Sequence, residues 1–263
     1  VDKLKLPPNV PKEMEERTRK ELQGYYAHCT ATDKAVGKVL DKLTEINLFD
    51  NTIVVFTSDH GEMMGSHGVK PFRKQLAWDE SIKVPFLISY PSIGENTGSV
   101  VNAPINTPDI LPSLLGLAHI KIPETIEGDD LSNLIKNPDP DFDRATLIMN
   151  PAPFGGNYSD PEFRAIRTKQ YIYVRTLEGP AKLFDNINDP FQMRNLLNEP
   201  GYSALQNDLD QTLSLKLAEI NDPFKPREYY LKKWNYELDE RKKAIDHWSF
   251  KNGNGEVQSP KTY

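Results

Sequence analysis

The chain has 263 residues, 38% of them hydrophobic and 27% charged, with a net charge of −6. That balance suits a folded globular protein, one large domain or a domain with an appendage, and excludes a general nucleic-acid binder, which carries a basic imprint. The single cysteine, Cys29, excludes intrachain disulfides and a multi-thiolate zinc site, and no run reaches the roughly 18 apolar residues of a membrane span.

The polar, proline-rich opening VDKLKLPPNVPKE reads as an extended lead-in without signal-peptide character. From Lys12 to Asn47 the spacing predicts one or two helices. Leu22, Tyr25, Tyr26, Cys29, Val36, Val39, Leu40 and Leu43 form their apolar stripe, with Cys29 a buried structural thiol within it. The run Ile53-Val54-Val55-Phe56 has no polar alternation, which predicts a strand buried on both faces, as in a parallel sheet covered by helices. It ends in Ser58-Asp59-His60-Gly61, where α/β sheets place their functional groups. A carboxylate beside an imidazole there can hold a metal or handle protons. The same tetrapeptide also reads as a turn in which Ser58 or Asp59 caps the next segment and His60 is solvated.

The following loop carries His67, Lys70, Arg73 and Lys74. Cations beside a metal-binding carboxylate suit an anionic substrate, whose developing charge they neutralise; a solvated basic loop is the other reading. A short helix near Gln75–Ile82 and a strand over Val84–Tyr90 follow. Thr107 at the N-cap, Pro108 and Asp109 then start another helix. Helix and strand alternating in this order predict an α/β layer over residues 1–150, a mostly parallel sheet flanked by helices. Beyond the polar stretch Gly128–Asp143, residues 151–225 predict a small antiparallel sheet with one packed helix. Residues 226–263 form an aromatic, charged tail with a mobile end. Tyr158 and Trp78 are candidates to stack on a sugar ring, or to pack in the core or on the surface.

Ser58-Asp59-His60-Gly61, Gly65-Ser66-His67-Gly68, and Lys74 followed by Glu80-Ser81-Ile82-Lys83-Val84-Pro85 together resemble the carboxyl-terminal half of a type I sulfatase, in the alkaline phosphatase superfamily. Tyr25–Leu40, Thr107–Leu115, Arg164–Thr168 and Leu183–Asp185 with Asn188-Asp189-Pro190 extend the similarity in order over roughly residues 20 to 220. The resemblance implies that Asp59 and His60 are ligands of one calcium ion. It further implies that Lys74 contacts the sulfate ester and assists the leaving oxygen, and that His67 lies near the sulfate pocket. Lys70 and Arg73 are candidates for the substrate subsite. The implied substrate is a sulfated small molecule or carbohydrate, and the implied location is exported or lysosomal.

Sulfatases draw their formylglycine nucleophile from Cys/Ser-x-Pro-x-Arg. Here Cys29 is followed by Thr30-Ala31-Thr32-Asp33, and Ser89 and Ser159 have the proline but Ile93 and Phe163 in place of the arginine. The expectation is therefore a fragment, inactive alone, whose nucleophile lies upstream of Val1. Two other readings remain at this point. One is a two-metal phosphodiesterase or phosphonate hydrolase of the same superfamily, in which His60 suits zinc. The other is a non-catalytic module that keeps the fold.

Overall fold

The computed structural model describes residues 4–90, 98–154 and 158–236, with 238 and 240. The expected mobile end at 241–263 lies outside the described residues. Helix α1 (Glu15–Glu45) leads through a 3-10 turn into strand β1 (Val54–Thr57). The single-turn helix α2 (Asp79–Ile82), strand β2 (Phe86–Ser89), and helices α3 (Thr107–Leu117) and α4 (Ser132–Lys136) follow. Strands β3 (Thr146–Asn150), β4 (Phe163–Arg167), β5 (Tyr171–Thr176) and β6 (Gly179–Asp185) form one sheet. Helices α5 (Ser203–Glu219) and α6 (Arg227–Lys233) complete the described chain.

Four helices end in the same way. Asn47, His119, Asn221 and Asn235 take φ of 56°, 57°, 53° and 55° just past α1, α3, α5 and α6. In the first case Asn47 donates its N–H to Thr44 O and Leu48 donates to Leu43 O. The left-handed residue thereby turns the chain back so that otherwise orphaned carbonyls are capped, and asparagine tolerates that region well. At the start of α3 the N-cap is Asn106, one residue before the expected Thr107. Its side chain and that of Asp109 cap each other's backbone reciprocally, with Pro108 in the first turn.

The α/β class stands, with one difference in strand direction. β1 and β2 pair antiparallel, Val54 opposite Ser89 and Thr57 opposite Phe86, where the apolar run predicts parallel strands. Their connection, residues 58–85, is long enough for a crossover but carries only a three-residue 3-10 turn and the one-turn helix α2, so no crossover helix covers the pair. Nor is the pair buried on both faces: Phe56 and Leu87 are 41% and 64% exposed. Part of the stripe of α1 is likewise open. Tyr25, Tyr26, Val39 and Cys29 are exposed, and only Thr18 and Leu22 of this helix are buried. The thiol is therefore a surface group. Spacing reports which face is apolar; here the described residues bury Leu22 and half-bury Val36, Leu40 and Leu43, and leave Tyr25, Tyr26, Cys29 and Val39 open.

The second sheet is an antiparallel meander in the order β3-β4-β5-β6. Its first strand, Thr146–Asn150, precedes the expected start at 151. Period-two alternation gives the sheet two different faces. Ile166, Tyr173 and Leu183 meet Leu209, Leu213 and Leu217, spaced four apart on α5. Phe163, Ala165, Ile172, Val174 and Phe184 point the other way and pack on Ala77, with Trp78 and Ile82 against them. The segment around α2 is thus seated on this sheet, and polar ties fix it there. Asp79 Oδ2 accepts from Arg167 at 3.3 Å, Asp79 Oδ1 accepts from Asn186 at 3.0 Å, and the Asp79 N–H donates to Gln192 Oε1 at 3.0 Å.

Between the layers, Arg144 bridges Asp109 of α3 and Asp129, each at 2.5 Å. Burial pushes the Asp109 carboxyl up. The Arg144 guanidinium and the N–H groups of Asp129 and Asn106 outweigh it and hold the group below the usual carboxylate value. A depressed carboxylate contributes stability that is complete above its unfolded pKa, near 4, and is lost as pH falls through its lower folded value. Urea melts at neutral and acidic pH should therefore show a smaller acid-induced loss for Asp109→Asn than for the parent. An unchanged pH slope would refute this.

Candidate functional site

Past the carboxyl end of β1, Asp59 projects into solvent with its side chain 82% exposed. Its Oδ1 accepts from the His60 N–H at 3.0 Å and the Ser58 hydroxyl at 3.3 Å, and Oδ2 lies 3.3 Å from His60 Nε2. What desolvation it suffers raises its pKa. The His60 imidazole and these hydrogen bonds outweigh that and keep it below the ordinary value, so the carboxylate is anionic. His60 Nδ1 is 2.7 Å from the Gly61 carbonyl, which only accepts, so Nδ1 carries the proton. Nε2 is then the acceptor, and Lys74 Nζ stands 2.8 Å from it. Asp59 is tied to His60 through the His60 backbone N–H, and His60 to Lys74 through Nε2, so the three form one connected unit.

Gly61 holds this unit against α2. Its N–H donates to Ser81 O at 2.8 Å, and a Cβ on Gly61 would lie 1.9 Å from the Glu80 carbonyl oxygen. Only glycine permits backbones to approach so closely. Further on, Gly65 takes φ 95°, and a Cβ there would lie 2.1 Å from Thr18 Oγ1. That turn tucks Met63 and Ser66 inside and brings the His67 N–H to Asn9 O at 2.7 Å.

His67 belongs to a second unit. Its ring stacks on Trp78 with centroids 3.7 Å apart and 14° between planes. Nε2 lies 3.1 Å from Asn9 Nδ2 and 3.7 Å from Glu80 Oε2. Asn9 Nδ2 also donates to Glu80 Oε1 at 2.6 Å. Burial pushes the Glu80 carboxyl up, but His67 and the Asn9 amide hold it below its ordinary value. Trp78 carries Lys182 Nζ 3.5 Å from its ring centroid. Two groups so near one centroid must occupy opposite faces, so Trp78 has no face left for a sugar ring. Tyr158 has Arg227 over its ring at 4.6 Å.

The remaining two candidates separate. Arg73 Nη2 pairs with Asp160 at 2.8 Å, tying the loop to the segment before β4, while Lys70 is exposed. Asn9 and Lys182 join the site without any sequence signal. Asn9 sits in a proline-rich lead-in, and Lys182 belongs to a strand whose alternation is read for its apolar positions.

Among the described residues no three His, Cys, Asp or Glu side chains cluster as a metal site. Asp59 alone fits a hard cation, since an exposed, anionic carboxylate offers the oxygen that calcium selects. His60 does not fit in this arrangement, because Nδ1 is bound to Gly61 O and Nε2 faces Lys74. Its geometry suits orienting Lys74.

Residues 4–120 match the family described as Sulfatase, and residues 65–219 match N-sulphoglucosamine sulphohydrolase, C-terminal. An ulvan-active sulfatase of Formosa agariphila is 62% identical over 259 residues, 98% of this chain and 51% of that protein. A solved putative sulfatase of Bacteroides fragilis superposes with a TM-score of 0.70 at 31% identity, over 84% of this chain and 48% of the other. A structure solved with its substrate D-glucosamine-2-N,6-O-disulfate gives 0.72 at 26% identity, over 84% and 45%. The chain spans about half the length of the curated relatives it matches. Two family segments in sequence order, on a fold shared with solved sulfatases, place this chain in the sulfatase family.

Proposed function

We propose that this chain supplies one wall of a sulfuric ester hydrolase acting on a sulfated carbohydrate, and that the nucleophile comes from a segment outside it. The observation that carries this reading is the Asp59–His60–Lys74 unit, which sets an anionic oxygen donor and an ammonium donor side by side at a strand end. The carbohydrate class rests on the named relatives, one active on ulvan and one solved with a disulfated glucosamine.

Asp59 would contribute to a bound calcium ion, which when present stabilises negative charge on the ester. Lys74 Nζ would donate a hydrogen bond to the departing ester oxygen, while His60 Nε2 holds the ammonium in place and Gly61 O fixes the imidazole's tautomer. A formylglycine from the missing motif would supply covalent catalysis. His67, locked against Trp78 and Glu80, acts as a positioning residue in this reading. The test is hydrolysis of a sulfated monosaccharide by the complete polypeptide, with the 263-residue chain assayed beside it. The complete protein should release sulfate and the chain alone should not. Release by the chain alone, or none by the complete protein, would overturn the assignment.

A further inference from the structure

Lys182 stands apart from every other cation of the sheet. It sits on β6 beside Phe184, on the face that carries α2. Its ammonium lies over Trp78 and makes no hydrogen bond or ion pair with any described residue. Arg164, Arg167 and Arg175, by contrast, are each paired with a carboxylate. Burial pushes the Lys182 ammonium down to about 8, against the opposing pull of the Asp160 charge. A cation placed there without an acceptor is held at a cost.

Beside it opens a pocket of about 430 Å³, lined by Asn9, His67, Trp78, Lys182, Gln192 and Asn195 among others. Most of its polar groups are already committed. Asn195 Oδ1 accepts from the N–H groups of Leu183 and Leu197, and its Nδ2 donates to Ala181 O. Gln192 is engaged with Asp79 and Asn186. The Lys182 ammonium, by contrast, has the Trp78 ring but no hydrogen-bond acceptor, and Asn9 Oδ1 is buried without a hydrogen-bond partner. Asn9 cannot reverse its amide to relieve this, because Glu80 Oε1 and Phe191 O on its other side only accept. An unmet donor cation, an unmet acceptor and the apolar edges of Phe184 and Met193 together match one ligand chemistry. That chemistry is a ring bearing an anionic group and hydroxyls.

We propose that this pocket is a subsite for an acidic sugar unit, in which Lys182 Nζ holds a carboxylate or a further sulfate of the carbohydrate. The choice of a sugar rests on the sulfatase reading above; the anion preference rests on Lys182 and its surroundings. Through Trp78, which has Lys182 on one face and His67 on the other, the subsite adjoins the Glu80–Gly61 contact that supports His60 and Lys74.

The test is a proton–nitrogen NMR titration of the 263-residue chain, following the Trp78 indole N–H, with glucuronate, N-acetylglucosamine 6-sulfate, glucose and inorganic sulfate as separate probes. Both acidic sugars should shift this resonance saturably, and glucose should not. Lys182→Gln should weaken both acidic sugars about tenfold, the loss of one charge-assisted contact. Lys182→Arg, which keeps the charge, should retain binding and so separates loss of charge from loss of fold. Binding by glucose equal to that of the acids, or a Lys182→Gln protein that binds as the parent does, overturns the proposal. Inorganic sulfate binding as tightly as the sugars overturns it too, leaving an ion site only. No turnover is involved, so this result and that of the sulfate-release assay can fail independently.

Discussion

Replacing Lys74 with alanine in the complete enzyme should lower kcat for a sulfate ester by about 10²- to 10³-fold, the usual effect of removing one aimed donor from a developing oxyanion. The geometry argues for a loss in kcat rather than in KM. Lys74 Nζ is 2.8 Å from His60 Nε2, and His60 is itself anchored to Gly61 O, so the ammonium is oriented before substrate arrives. A preoriented donor contributes most where charge appears in the transition state. Lys74→Arg should recover little, since a planar guanidinium cannot occupy the place of a compact ammonium against an imidazole. Steady-state kinetics with one sulfated monosaccharide decide this. A raised KM with kcat unchanged would move Lys74 from leaving-group assistance to simple substrate binding.

Arg164→Met should destabilise the chain by about 3–5 kcal/mol, read from urea melts, because it strands a buried carboxylate. Arg164 is fully buried, with Nε 2.5 Å from Asp222 and Nη2 2.9 Å from the Tyr230 hydroxyl. Nη1 donates to Phe163 O at 2.9 Å, and the guanidinium carbon lies 4.6 Å from the Phe224 ring centroid. One side chain therefore joins β4 to the turn after α5 and to α6. Burial pushes the Asp222 carboxyl up, while Arg164 and the Tyr230 hydroxyl pull it below the ordinary range. Without the arginine that compensation ends. Adding Asp222→Asn should restore part of the loss, because the double variant buries no lone charge. A loss under about 1 kcal/mol would show that water reaches the pair.

What the sequence made legible, and what it hid, divides along physical lines. Asp59, His60 and Lys74 are readable because they follow an apolar run and keep family spacing to Glu80, and these three meet in space. His67 is readable as a motif, but its partners are not. Asn9 and Lys182 are distant in sequence, and nothing local marks either as a neighbour of Trp78. Arg73 and Lys70 look alike in composition, yet one is tied to Asp160 and the other exposed. The four-stranded sheet is legible in β4, β5 and β6 because their residues alternate. β3 lacks that alternation, since Leu147, Ile148 and Met149 are consecutive apolar residues. Cys29 shows the complementary limit: helical periodicity marks a stripe that packs, but not where the partner for that stripe comes from.

The four-stranded meander has α5 on one face and the α2 segment on the other. From Ser58 to Trp78 the chain forms no strand and only a three-residue 3-10 turn, so it has little ladder of its own to resist opening. Its persistence is borrowed from the sheet beneath. Amide exchange at Gly61 and His67, whose N–H groups are bonded to Ser81 O and Asn9 O, then reports on a shared opening event with β4 and β5 rather than on loop fluctuation. Opening of the candidate site and unfolding of the small sheet are then expected to share one free energy.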